Sequence, residues 1–64
     1  MTNYTRFEKQ QVVLVQKGLQ TWNEALCRCA GYLQCMVDIG VITEDRKSEE
    51  YMVAYKKIVG VINE

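Results

Sequence analysis

Apolar residues recur at steps of three and four along much of this chain: Val12, Val15, Leu19, Trp22, Leu26, Cys29, Leu33 and Met36. Such alternation keeps side chains on one stripe of an α-helix, the seam of a heptad. Gly18, Ala25, Tyr32 and Ile39 flank the seam on one side, and Ala30 and Val37 on the other. The stripe therefore widens toward its C-terminal half, which suits contact with more than one helix. Gly40 follows the last periodic residue, where a left-handed residue commonly ends a helix. Upstream, Thr5-Arg6-Phe7-Glu8 has the form of a capping box, and Thr2 or Asn3 also suits a cap. The pattern predicts one long helix over about residues 4–39.

Two features compete with a continuous helix. Gly18 is costly in a helix interior, and Thr21-Trp22-Asn23-Glu24 is a second capping-box pattern. Val12-Val13-Leu14-Val15 is also rich in β-branched residues and strand-like. The register nevertheless passes through residue 18 without a skip, and a break usually shifts the phase, so the expectation is continuity.

A second helix is expected after Ile42. Thr43 or Ser48 can cap it, and Glu44, Asp45, Glu49 and Glu50 suit its positive N-terminal end. Tyr51, Tyr55, Ile58 and Ile62 form its main apolar line beside Ala54, Val59 and Val61, with Lys56 and Lys57 toward the C-terminal end. The short link Gly40-Val41-Ile42-Thr43 returns it antiparallel. The expected fold class is all-α: a helical hairpin of one long and one shorter helix, forming a single domain over residues 1–64.

Unequal lengths then imply association. The first helix would span roughly 50 Å and the second about 30 Å, leaving Val12, Val15 and the surroundings of Phe7 uncovered. The free-energy balance agrees. Burial in a chain this short contributes roughly 95 kcal/mol, and ordering it costs about the same. A dimeric helix bundle is expected, with Val12, Val15, Leu19, Trp22 and Leu26 as the self-association interface.

Composition narrows the function. Apolar residues make up 48% and charged residues 25%, as in an ordinary globular domain rather than a disordered chain. Eight basic residues balance eight acidic ones, which disfavours a phosphate-dominated nucleic-acid binder. The alternative reading is a small dimeric nucleic-acid-associated regulator aligning Arg6, Lys9 and Lys17. The start has no apolar leader pattern, and Arg28, Gln34 and Asp38 interrupt the most apolar stretch, so neither a targeting segment nor a membrane span is expected. A cytoplasmic protein with Cys27, Cys29 and Cys35 reduced is expected.

No chemistry-bearing constellation emerges. On a helix Cys27 and Cys29 point about 200° apart, and with no histidine in the chain neither a zinc site nor a thiol nucleophile with its base is expected. The acidic residues around Glu44 to Glu50 interleave with Arg46 and Lys47 and read as a solvated face. The expectation is no enzyme, no cofactor and no metal. What remains is binding. Tyr32, Cys35, Ile39 and Tyr55 lie off the seam and are the candidates for contact with a partner protein, tyrosines being effective anchors. The plainer alternative is that they complete the hairpin core.

The segment Asp38-Ile39-Gly40-Val41-Ile42-Thr43-Glu44-Asp45, lying between a long amphipathic helix and a tyrosine-bearing one, resembles the small α-hairpin accessory proteins of bacteriophages and mobile elements. That resemblance implies a host-interacting factor that acts by binding and modulating a protein.

Overall fold

The computed structural model describes residues 2–62. Its elements are α1 (Thr2–Gln16), α2 (Trp22–Asp38) and α3 (Glu44–Ile62), each packed against the other two. The long first helix of the expected hairpin is therefore two helices, and the break falls at the competing glycine. Gly18 adopts φ +73°, a left-handed conformation that residues with a Cβ rarely take. Around it the Leu19 N–H donates to the Leu14 carbonyl at 3.0 Å and the Gly18 N–H to the Val15 carbonyl at 3.1 Å. This pair of bonds is a Schellman motif, which satisfies the last free carbonyls of α1. Thr21 then caps α2: its Oγ1 accepts the Glu24 N–H at 3.2 Å and donates to the Glu24 carboxylate at 3.1 Å.

The same grammar ends α2. Gly40 has φ +79°, the Val41 N–H reaches the Met36 carbonyl at 2.8 Å, and the Gly40 N–H reaches Val37 at 3.0 Å. Thr43, one of the two expected caps, accepts the Arg46 N–H at 3.2 Å and opens α3. Glu44 and Asp45 lie in the first turn of α3, against the positive end of its dipole.

The start of α1 overturns a second expectation. Thr5 to Glu8 is no cap, because the chain is already helical from Thr2. Glu8 turns inward instead, is 3% exposed, and pairs with Lys57 Nζ of α3 at 2.6 Å.

Folding back at Gly18 closes a core within one chain. Tyr4 of α1, Ala25, Leu26, Cys29 and Leu33 of α2, and Ala54 and Ile58 of α3 are buried together. Phe7, Val12, Val15, Tyr32, Met36, Ile42 and Tyr51 pack around them. The unequal helix lengths that implied a dimer are thereby removed, since α1 itself covers the α2–α3 pair. No described helix is long and apolar enough to cross a membrane.

Candidate protein-docking surface

The residues expected at a self-association seam separate in space. Val12 and Val15 are half-buried against the core and Leu26 is buried within it. Leu19 and Trp22 fall at the α1–α2 turn and remain 72% and 47% exposed. The five do not form one continuous stripe, because the residues that carried the register across residue 18 are turn and cap-adjacent residues.

The partner-binding candidates fare differently. Tyr32, Cys35 and Ile39 come together with Met36 along α2, around a groove of about 350 Å³. Helical spacing explains the grouping, since positions 32, 35, 36 and 39 share one face. Two edges of the groove are fixed differently. The Tyr32 ring is held by Phe7 at 4.8 Å and Tyr4 at 5.6 Å between centroids, both tilted contacts. Ile39 sits at the C-terminal cap of α2 and is 70% exposed. Val41, in the following turn, is also exposed. Tyr55 lies on α3, exposed and outside this groove.

Behind the aromatic cluster lies a polar pocket that the apolar pattern did not disclose. The Tyr4 hydroxyl is buried beside Cys29 and Glu8 without a well-formed hydrogen bond among the described residues. Burial, with the Cys29 and Glu8 neighbours adding to it, raises the Tyr4 pKa. Burial, then Glu8, likewise pushes the Cys29 thiol up, while Tyr4 partly offsets this. The thiol is therefore neutral at ordinary pH and packs as a small apolar group. Gln11 is buried too, and its side-chain carbonyl accepts from the Gln20 amide at 2.6 Å.

Cys27 and Cys35 are exposed, and all three cysteines are free thiols. Among the described residues no group of histidine, cysteine or carboxylate side chains is placed to hold a metal ion.

A larger concavity, about 650 Å³, lies on α1 between Arg6, Lys9, Gln10, Val13 and Leu14. It contains two of the three cations considered for phosphate contact. The third, Lys17, lies beyond the end of α1. Sequence reading missed this concavity because its half-buried Val13 and Leu14 adjoin the seam residues Val12 and Val15. A third groove, about 410 Å³, lies between α2 and α3 at Ala30, Lys47, Ser48, Tyr51 and Met52. The Lys47 ammonium on its rim donates to the Gln34 side-chain carbonyl and lies 3.8 Å from Glu44.

Compared with known proteins, the chain matches no family model, no curated protein and no solved structure.

Proposed function

We propose that this protein is a non-enzymatic interaction factor that binds and modulates a partner protein through the α2 groove of Tyr32, Cys35, Met36 and Ile39. The observation that supports this most is the combination of an ordered wall and an exposed apolar rim. Tyr32 is held by two rings, so its contribution to a complex costs little ordering entropy. Ile39 stands in water beside it, and adjoining exposed apolar groups commonly mark contact sites. The resemblance to small accessory proteins of phages and mobile elements points the same way, toward a host protein as partner.

The nucleic-acid alternative rests on Arg6 and Lys9, which flank the α1 concavity. A net charge of zero weighs against it. Affinity capture from host lysate, with and without nuclease, separates the two readings. The expected result is a protein retained after nuclease by the native chain and by Leu19→Ser, and lost with Ile39→Arg at unchanged helicity. Equal capture by Ile39→Arg would overturn the groove assignment. Recovery of nucleic acid alone, with steep salt dependence, would overturn the protein-binding reading.

A further inference from the structure

The outward faces of α1 and α3 share one side-chain spacing, with cations at the start of the first and acids at the start of the second. On α1, Arg6, Lys9, Gln10, Val13 and Leu14 surround a single concavity. On α3, Asp45, Glu49, Met52 and Val53 are all exposed. Positions 6, 10, 13 and 14 have the same spacing as 45, 49, 52 and 53. The four side chains therefore occupy matching angular positions on their helices. Both sets lie opposite the residues that face the core, Tyr4, Glu8 and Gln11 on α1 and Ala54 and Ile58 on α3. The first half of the α1 face is cationic and the first half of the α3 face is anionic, while the second half of each is apolar.

These charges are not spent within the chain. Among the described residues the ion pairs are Arg46–Glu50, Lys47–Glu44 and Lys57–Glu8. Arg6, Lys9, Asp45 and Glu49 take part in none of them. The two faces cannot meet in one molecule, because each helix turns its opposite side toward the core.

We propose that copies of this chain associate head-to-tail, the Arg6, Lys9, Val13 and Leu14 face of α1 in one copy seating the Asp45, Glu49, Met52 and Val53 face of α3 in the next. A parallel alignment sets Arg6 against Asp45 and Gln10 against Glu49, and brings Val13 and Leu14 onto Met52 and Val53. An antiparallel alignment would set Arg6 against Val53 and Asp45 against Leu14, facing each charge with an apolar side chain. In the parallel register Lys17 and Lys56 come next. Lys17 lies past the end of α1, so this pair can diverge. The contact runs about 12 Å along each helix and is correspondingly weak. Because the two faces differ, the contact is heterologous, and each copy offers one of each, so assembly continues to rings or open chains. Neither face overlaps the α2 groove, so self-association and partner capture can be abolished independently.

Sedimentation velocity over roughly 0.01–1 mM at low ionic strength tests this. The native chain is expected to rise from monomer to more than about twice the monomer mass, and to return toward monomer as salt screens the charges. Arg6→Glu with Lys9→Glu makes both faces acidic, and Asp45→Lys with Glu49→Lys makes both basic. Each variant alone should stay monomeric, and an equimolar mixture should associate again. Asp45 lies in the first turn of α3, where a cation opposes the helix dipole, so Glu49→Lys with Met52→Lys provides a second basic variant. A native chain that stays monomeric to the top of the range would overturn the proposal. So would association unchanged by either charge swap, a mixture that remains monomeric, or association that requires added nucleic acid.

Discussion

The two turns of the bundle share one local grammar and close onto different chemistry. Each runs glycine, apolar residue, one further residue, threonine: Gly18-Leu19-Gln20-Thr21 and Gly40-Val41-Ile42-Thr43. Each makes the same pair of helix-ending hydrogen bonds and the same threonine cap. The third position distinguishes them. Gln20 ties the first turn to the buried Gln11 by a side-chain hydrogen bond, whereas Ile42 packs the second onto the core. The helices follow suit. Tyr4, Glu8 and Gln11, three of the most buried residues of α1, all carry polar atoms, while Ala54 and Ile58 of α3 carry none in their side chains. Local capping thus sets where the chain turns, and the seam behind each turn sets how firmly it is held. The α2–α3 hairpin is centred on apolar burial, whereas α1 combines the apolar contacts of Phe7, Val12 and Val15 with buried polar side chains, among them Glu8 and its Lys57 partner.

Truncating the apolar seam should have the largest effect. Ile58→Ala removes a fully buried side chain and should cost about 3 kcal/mol in chemical denaturation, enough to unfold much of so small a bundle. The polar seam should come next. Lys57→Ala leaves the Glu8 carboxylate buried without its partner, at a cost of about 2 kcal/mol. Replacing both Glu8 and Lys57 by Met should recover most of that loss, because no charge is then stranded. A double replacement as damaging as Lys57→Ala would show that the pair is not what holds α1.

At the turns themselves, Gly18→Ala and Gly40→Ala should each cost about 1–2 kcal/mol, since both positions hold left-handed backbone. Neither site crowds an added Cβ, so the cost is conformational and should be similar at the two turns. Thermal denaturation of the two variants checks this, and a clear inequality would mean the turns are not equivalent.

The smallest effect should be a pH dependence confined to the pocket behind α1. In the unfolded chain Cys29 titrates near its ordinary value of 9.0, whereas the buried thiol keeps its proton to higher pH. The unfolded state then binds fewer protons, so stability is complete below that value and falls as pH rises past it. Tyr4 adds a loss of the same sign above its ordinary value of 10.0. Cys29→Ala should flatten the decline over about pH 8–10, measured as denaturation midpoints, and an unchanged slope would remove Cys29 as its cause.

Legibility from sequence followed the same division. The second turn was read from Gly40 and Thr43 because the apolar period ends there. The first turn carries the same signals at Gly18 and Thr21, but Leu19 and Trp22 happen to continue the register across it. Both are exposed, so the period there reflected spacing rather than burial. The true inward line of α1 includes Tyr4, Glu8, Gln11 and Val15, itself a heptad spacing. Its two polar members hid it, because a binary reading assigns Glu and Gln to the surface. Of the four partner-binding candidates, three share the α2 groove since helical spacing is enough to group them. Tyr55 is separated from them because it belongs to another helix. The seam places Val12 inward, as found, but spacing alone does not disclose that Val13 and Leu14 line a concavity with Arg6 and Lys9 on the other side of α1.

The fold depends on α1 turning back at Gly18, and the Tyr4–Tyr32 contact reports on that directly. In the bundle the two ring centroids lie 5.6 Å apart, whereas one unbroken helix would separate the residues by about 42 Å. The measurement is a proton nuclear Overhauser effect between these rings, in labelled protein diluted with excess unlabelled chain so that only contacts within one molecule are seen. A strong effect between Tyr4 and Tyr32 is predicted. Its absence in folded, helical protein would contradict the three-helix account.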